Sequence, residues 1–202
     1  MGASSRQGFF DAHASGWEER NYSPETLHRL QEMIRGLHFM PGARVLDVGC
    51  GTGVLFPYLR EAIGPEGRLL ALDSSAEMLK WAVQKRSGAT VVLQAPAEAL
   101  PLIDVYLDAI ICFAAFPHFS DKGRVAREFY RTLQPGGRAY VAHLGTRDEI
   151  STHHHQYAPV AGDRIPAPDA MTALFTAAGF GRTSLEERPG WYLFTAEKET
   201  AR

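Results

Sequence analysis

Val45-Leu46-Asp47-Val48-Gly49-Cys50-Gly51-Thr52-Gly53 is the stretch that decides the fold of this chain. An apolar run carries an acid, passes into three glycines at alternate positions, and leads into a helix-like segment that starts at Val54. Glycine has no Cβ and tolerates positive φ, so it suits a sharp turn that a ligand must approach closely. The helix that follows presents free N–H groups at its first turn. The stretch therefore predicts a buried strand, a tight turn and a helix around a ligand site.

A second acid follows this turn at a spacing that suits a nucleoside-binding site. Asp73 follows Gly53 by twenty residues and closes the strand-like run Arg68–Asp73. A carboxylate at the end of a second strand can accept hydrogen bonds from a ribose diol. The glycines are spaced G-x-G-x-G, whereas the pyrophosphate-binding fingerprint is G-x-G-x-x-G. Because Asp47 would repel a phosphate and attract an ammonium group, the pattern favours a nucleoside with a cationic amino-acid tail. A glycine-rich turn without a ligand is the alternative.

Composition bounds the class of protein. The chain has 202 residues, 45% of them hydrophobic and 22% charged, as expected for a single globular domain. Its net charge is −2 and its basic residues are scattered, which argues against nucleic acid as a partner. The first residues lack the apolar core of a signal peptide, and no run approaches the roughly 20 apolar residues that span a bilayer. We therefore expect a cytoplasmic protein without a membrane partner, and its oligomeric state stays open.

Strand-like and helix-like segments alternate along the chain, which predicts right-handed βαβ units. The expected fold class is α/β: a doubly wound, mostly parallel seven-stranded sheet with helices on both faces and an antiparallel C-terminal hairpin. The hairpin is predicted because the last two runs flank Arg188-Pro189-Gly190. The predicted strands are Arg44–Val48, Arg68–Asp73, Thr90–Gln94, Leu107–Phe113, Arg138–Leu144, Arg182–Glu187 and Trp191–Ala196.

Helices are predicted from apolar spacing and from their end signals. Residues 24–39 are amphipathic, residues 121–133 end at a Pro-Gly-Gly turn, and residues 167–178 precede Gly179. Ser74 and Glu77 have the spacing of a capping box, so Ser74 is predicted as the N-cap of the helix after the second strand. Cys50 and Cys112 lie in apolar contexts and are interpreted as small buried side chains.

Taken in order, these motifs resemble those of the class I, Rossmann-like S-adenosylmethionine-dependent methyltransferases. The glycine turn is similar to motif I of that family, and Asp73 to its ribose-binding acid. Leu133-Gln134-Pro135-Gly136-Gly137 resembles the family's turn before strand five. The aromatic N-terminal segment around Phe9 and Trp17 resembles the cap of small-molecule methyltransferases related to ubiquinone and menaquinone biosynthesis. The resemblance implies one domain over residues 1–202, with residues 1–40 as a helical cap.

The resemblance also implies a set of cofactor-binding residues for S-adenosylmethionine. Asp47, Gly49 and Gly51 would frame the methionine tail, and Asp73 would hold the ribose. Adenine would lie between side chains of the second helix and the fourth strand. One departure matters: Pro96 stands where the family usually has an acid that meets the adenine amino group. The remaining predicted contacts are Cys50, Ser74, Met78, Ala97, Glu98 and Phe113.

The expected reaction is the in-line transfer of a methyl group to a small-molecule acceptor. No catalytic residue is needed for a thiolate acceptor, but a base helps if the acceptor must lose a proton. His118 follows the fourth strand and His143 ends the fifth, so both are candidate bases at the ligand side of the sheet. For each of them, the alternative is a histidine that only packs and forms hydrogen bonds.

Three adjacent histidines in Ser151–Tyr157 are not explained by the family pattern. A divalent metal site formed by His143, His153 and His154 is one interpretation, since imidazole nitrogens bind such ions. Neighbouring side chains diverge, so a polar loop or helix start with one histidine facing the substrate is the favoured interpretation.

Two other functions stay open at this stage. A nicotinamide-dependent oxidoreductase would use a related fold, but it would need the third glycine one residue later. A non-catalytic metal- or nucleoside-binding module on the same fold would fit Pro96 and the histidines.

Overall fold

The computed structural model describes residues 3–200, with side chains from Arg6 onward; residues 1, 2, 201 and 202 of the predicted domain lie outside the described residues. The strands are β1 (Arg44–Val48), β2 (Arg68–Asp73), β3 (Thr90–Gln94), β4 (Leu107–Phe113), β5 (Leu133–His143), β6 (Arg182–Arg188) and β7 (Trp191–Glu197). The helices are α1 (Ala3–His13), α2 (Trp17–Asn21), α3 (Pro24–Gly36), α4 (Phe56–Ile63), α5 (Ala76–Gln84), α6 (Lys122–Thr132), α7 (Arg147–His154) and α8 (Pro168–Ala177). No helix in this part of the chain has the length and apolar composition needed to cross a membrane.

The strands form one seven-stranded sheet in the order β3-β2-β1-β4-β5-β7-β6. Strands β1 to β5 pair in parallel, and β7 runs antiparallel to both β5 and β6. The strand order changes direction between the neighbouring strands β1 and β4. Ligands bind at such a switch point in open α/β sheets. The predicted fold class is confirmed, including the antiparallel hairpin.

Two apolar cores cover the two faces of the sheet. Leu46 and Val48 of β1 belong to the core that contains Phe129 of α6 and Phe175 of α8. Val45, on the opposite face, belongs to the core built with α3, α4 and α5. Side chains alternate along a strand, so a run that is apolar at every position must be covered on both sides. This explains why the central strands show no polar alternation.

Two shifts of predicted boundaries bear on the fold, whereas the other ends of predicted elements move by at most three residues. Strand β5 starts at Leu133 instead of Arg138, and its pairing with β4 shifts register between Leu107 and Ala109. The N-cap of α5 is Ser75, whose hydroxyl accepts the N–H of Met78, so the prediction of Ser74 as the cap is wrong. The reason is that the Asp73 carboxylate accepts the N–H of Ser75 at 2.8 Å, which keeps the chain extended for one more residue.

Helix α7 was not predicted as an element. The three adjacent histidines, for which the sequence favours a polar loop or helix start, lie at the end of this helix instead. Thr146 and Glu149 form a capping box at its beginning, each side chain bonding the other's backbone N–H. The Thr-x-x-Glu spacing was the signal in the sequence that would have located the helix.

Candidate functional site

A cavity of about 480 Å³ opens at the carboxyl ends of β1, β2 and β4. Its volume is within the roughly 300–1,000 Å³ that small-molecule sites occupy. The structure brings every predicted cofactor-contacting residue to the wall of this one cavity: Asp47, Gly49, Cys50, Gly51, Asp73, Ser74, Met78, Ala97, Glu98 and Phe113. These residues come from five segments of the chain, so the fold alone makes them neighbours.

The glycine turn after β1 leaves room on the cavity side. Gly49 has φ +73°, and a Cβ at this position would overlap the Cβ of Ala115. Gly51 has φ +52°, and a Cβ there would meet nothing within 4 Å. Its backbone N–H donates to Oδ2 of Asp73 at 2.9 Å, which ties the turn to the end of β2. Glycine is therefore needed at both positions for backbone conformation, and Gly51 also keeps the space above the turn open.

Two carboxylates of different character face this turn. Asp47 is 1% exposed, and its Oδ2 has no hydrogen-bond partner among the described residues. Burial, followed by the charge of Asp73, raises the pKa of Asp47 well above its usual range. Burial also raises the pKa of Asp73, although backbone N–H groups donate to it and oppose this rise. A cationic group entering the cavity would satisfy Asp47, because a buried charge needs a partner of opposite sign.

The N-terminal helices lie over the cavity. Phe10, Trp17 and Tyr22 form part of its wall. Polar contacts hold these helices in place: Gln7 donates to the carbonyl of Ser74 at 3.2 Å, the Ser75 hydroxyl donates to Asp11, and Glu18 accepts from Thr52 and Lys85. The cavity therefore has a polar floor made by strand ends and an aromatic roof made by the first helices.

His118 is the only one of the predicted histidines on the wall of this cavity. It ends a short 3-10 turn, Phe116–His118, that follows β4, and its side chain is 14% exposed. Its Nδ1 lies 2.8 Å from Oδ2 of Asp163. The ring of Phe10 packs edge-on against it, with centroids 5.0 Å apart. The imidazole is thus fixed in orientation at the boundary between floor and roof.

His143 occupies a different environment. It is 4% exposed, it does not line the cavity, and it packs against Tyr192 across the β5–β7 pair. Burial, and then the neighbouring His118 and His154, lower its pKa to about 3. His143 is therefore separated from the cavity, whereas His118 lies on its wall.

The predicted metal site finds no support in the geometry. Within residues 3–200, no group of three or more His, Cys, Asp or Glu side chains is arranged to hold a metal ion. The ring centroids of His153 and His154 are 6.4 Å apart, and His154 uses Nδ1 to contact the carbonyl of Asp163 at 2.9 Å. His155 contacts Arg164 instead. Successive side chains at the end of α7 point in different directions, as expected for a helix.

The comparisons with known proteins agree with this geometry. Residues 46–141 match the family described as methyltransferase domain. The ubiquinone/menaquinone biosynthesis C-methyltransferase UbiE of Vibrio vulnificus is 36% identical over an alignment of 172 positions that covers 71% of this chain and 66% of that protein. A S-adenosylmethionine-dependent methyltransferase from Thermotoga maritima superposes with a TM-score of 0.76 at 18% identity, covering 96% of this chain and all of that one. This chain is a class I S-adenosylmethionine-dependent methyltransferase.

Family membership implies that this methyltransferase uses S-adenosylmethionine. Phosphoethanolamine N-methyltransferase 1 of Zea mays is also similar, with 25% identity over 84% of this chain and 34% of that protein. The two relatives are named for transfer to carbon and to nitrogen, so their names do not agree on an acceptor atom. Neither a nicotinamide-dependent oxidoreductase nor a non-catalytic binding module is supported by these comparisons.

The cavity wall around Pro96, where the resemblance places the adenine, departs from the expected pattern of the methyltransferases. Pro96 is exposed on the cavity wall, and its carbonyl accepts the N–H of Ala99 at 3.1 Å. Glu98 already accepts the N–H groups of Ser120 and Asp121 at 3.1 and 3.4 Å. Its carboxylate therefore anchors the start of α6 while lining the cavity, which limits how freely it can turn toward a ligand.

Sequence reasoning missed two residues of this methyltransferase that matter to the site. Arg6 lines the cavity from α1, and Asp163, in the segment between α7 and α8, contacts His118. Arg6 and Asp163 are 157 positions apart, and their side chains meet at 2.8 Å. Neither lies in a recognisable motif, so no local signal could have paired them.

Proposed function

We propose that this methyltransferase moves the methyl group of S-adenosylmethionine to a small-molecule acceptor by in-line displacement. The observation that carries the proposal is the buried Oδ2 of Asp47, which has no hydrogen-bond partner among the described residues and shares one cavity with Asp73 and the open turn at Gly51. An ammonium group beside Asp47 and a ribose beside Asp73 would satisfy both acids. We also propose that residues 1–202 form one domain, in which residues 1–40 act as the cap, with no nucleic acid as partner.

The residues present fit the cofactor in type and position. Asp47, Gly49, Cys50 and Gly51 would bind the methionine tail, since the turn offers backbone N–H groups and the acid offers a counter-charge. Asp73 can accept ribose hydroxyls through its remaining lone pairs, because a carboxylate has about four acceptor sites and two are used. The adenine end would be lined by Ser74, Met78, Ala97, Glu98 and Phe113. When bound, the cofactor supplies an electrophilic methyl group on a cationic sulfur.

The aromatic roof supports a small acceptor. Phe10 and Trp17 are on the cavity wall beside His118, with ring centroids 5.9 Å apart. Such a wall excludes water and packs against apolar or planar molecules. His118 is the proposed catalytic base, because it is the cavity-lining histidine and the structure holds it in one orientation.

The first test is cofactor affinity in the variant Asp73→Ala. We expect S-adenosylmethionine to bind about 10- to 150-fold more weakly, because a hydrogen bond to a charged group contributes about 1.5–3 kcal/mol. Isothermal titration calorimetry measures the change. Asp108→Ala is a matched control. Asp108 also accepts a backbone N–H, that of Arg44, but it lies at the amino ends of the strands, away from the cavity. Tighter binding of NAD than of S-adenosylmethionine by the unaltered protein would contradict the proposal.

The second test identifies the methyl acceptor in a metabolite extract. The protein is incubated with the extract and S-adenosylmethionine that carries an isotopically labelled methyl group, and labelled products are identified by mass spectrometry. A labelled small molecule is the expected result. Label that appears only in protein or nucleic acid fractions would overturn the small-molecule proposal.

Pro96→Asp is expected to tighten cofactor binding. An acid at this position would add an acceptor for the adenine amino group, worth about 2- to 10-fold in affinity at about 0.5–1.5 kcal/mol for one net hydrogen bond. Calorimetric titration with S-adenosylhomocysteine provides the readout. Pro101→Asp is the control, because Pro101 is exposed but lies outside the cavity. Unchanged affinity with an intact circular dichroism spectrum would show that Pro96 does not occupy the adenine position.

A further inference from the structure

Asp163 is a buried acid that joins three parts of the molecule. Its side chain is 2% exposed and lies in the segment between α7 and α8. Oδ2 of Asp163 is 2.8 Å from Nδ1 of His118. Nε of Arg6, on the N-terminal helix, donates to Oδ1 at 2.8 Å and to Oδ2 at 3.1 Å. The backbone carbonyl of Asp163 also contacts Nδ1 of His154. The carboxylate therefore connects the cap to the candidate base.

These contacts determine which nitrogen of His118 carries the proton. Burial alone would raise the pKa of Asp163, but hydrogen bonding and charge from His118 and Arg6 outweigh it, so the pKa of this carboxyl is lowered. An ionised carboxylate only accepts hydrogen bonds. Nδ1 of His118 must therefore be the N–H, and Nε2 carries the lone pair in the neutral ring. This is the tautomer that a base needs if Nε2 is the atom facing the substrate.

Nε2 of His118 is the ring nitrogen that stays free of hydrogen bonds in a residue on the cavity wall. Hydrogen bonds of the described residues do not involve it, although His118 is only 14% exposed. Two rings hold the imidazole from its sides: Phe10 at 5.0 Å and His154 at 4.8 Å between centroids. Lys122 fixes the backbone of the same turn by donating to the carbonyls of Pro117 and Phe119. The charged or titratable groups around the ring are thus Arg6, Lys122, His143, His154 and Asp163.

We propose that Asp163 is a positioning residue that holds His118 in its Nδ1–H form, so that Nε2 takes a proton from the methyl acceptor. This rests on the proposed function. The acceptor atom gives its proton to Nε2 and forms a bond to the methyl carbon, and the electron pair of the broken carbon–sulfur bond stays on sulfur as S-adenosylhomocysteine leaves. Asp163 stabilises the imidazolium, which later releases its proton to solvent. The acceptor class is therefore a molecule with a hydrogen on its attacking atom, not a preformed anion.

Arg6 makes Asp163→Asn an unusually sharp test. Arginine only donates hydrogen bonds, so it will keep the amide oxygen of the new asparagine on its own side. The amide NH₂ then faces Nδ1 of His118, which must become an acceptor. We expect the ring proton to move to Nε2, the wrong nitrogen for a base. In the double variant Asp163→Asn with Arg6→Met, the amide is free to turn, and the original tautomer is expected to return in part.

The primary readout is nuclear magnetic resonance of isotope-labelled histidine rings with S-adenosylhomocysteine bound. The unaltered protein should show a protonated Nδ1 and an unprotonated Nε2 for His118, and Asp163→Asn should show the reverse. Asp169→Asn is the control, since Asp169 is an exposed acid six positions away and the substitution removes the same charge. A protonated Nε2 in the unaltered protein, or an unchanged tautomer in Asp163→Asn, would overturn the proposal.

The second readout is turnover of the acceptor found in the extract experiment. Asp163→Asn should lower kcat by about 10²–10⁴-fold with little change in cofactor affinity, as expected when a base is held in the wrong tautomer. The deficit should shrink at high pH, where the acceptor loses its proton to solvent without help; a merely structural defect would not recover. If no acceptor is found, the proposed function fails, while the ring spectra still decide the role of Asp163.

Discussion

Replacing His118 by glutamine is expected to lower kcat by about 10²–10⁴-fold, the usual contribution of a positioned general base. Glutamine keeps an N–H donor for Asp163, so the buried carboxylate stays paired, but it offers no basic nitrogen to the cavity. Cofactor affinity should change little, because His118 is on the acceptor side of the proposed cofactor residues. Steady-state kinetics and calorimetric titration of the same variant separate the two effects.

The matched control for this experiment is His153→Gln. The side chain of His153 is exposed and does not line the cavity. It should leave kcat within about two-fold, as expected for a surface substitution away from the site. Turnover that survives in His118→Gln would show that the acceptor needs no base. Loss of activity on addition of a chelator would instead support a metal site.

The protein is expected to lose about 3 kcal/mol of stability between neutral pH and about pH 4.5 through His143 alone. The folded-state pKa of this histidine is about 3, held low first by burial. As the pH falls through the unfolded value near 6.5, the unfolded chain takes up the proton and the folded protein does not. Stability therefore decreases from about pH 6.5 downward and the loss levels off only near the folded pKa. At neutral pH this contribution is absent.

His143→Phe isolates this contribution. Phenylalanine fills similar space beside Tyr192 and removes Nε2, which is buried without a hydrogen-bond partner among residues 3–200. Urea unfolding at several pH values should give a pH dependence flatter than that of the unaltered protein by about 3 kcal/mol over the same pH range. His28→Gln serves as the control, because that side chain is 67% exposed. Parallel stability curves for His143→Phe and the unaltered protein would show that His143 is not kept neutral by burial.

The strands and the cofactor end of the cavity were readable from local sequence. Apolar runs such as Arg68–Asp73 are long enough for strands, and glycines after Val48 allow only a turn there. Asp47 and Asp73 lie near the carboxyl ends of two neighbouring parallel strands. Their side chains are therefore on the same side of the molecule, where these strand ends meet. The proposed cofactor contacts follow from these short-range patterns because the turn and the two acids repeat the order and spacing of a known family. The resemblance, more than composition or periodicity, identified the cofactor.

What only the tertiary structure decided is the environment of each histidine. His118 and His143 both follow strands at the ligand side, and the sequence offers no reason to choose between them. The hairpin covers His143 through Tyr192, whereas the cap leaves His118 beside open space and brings Arg6 near it. Asp163 reaches His118 from 45 positions away. Burial and long-range pairing depend on how separate segments pack, and no pattern within one segment encodes a partner that far along the chain.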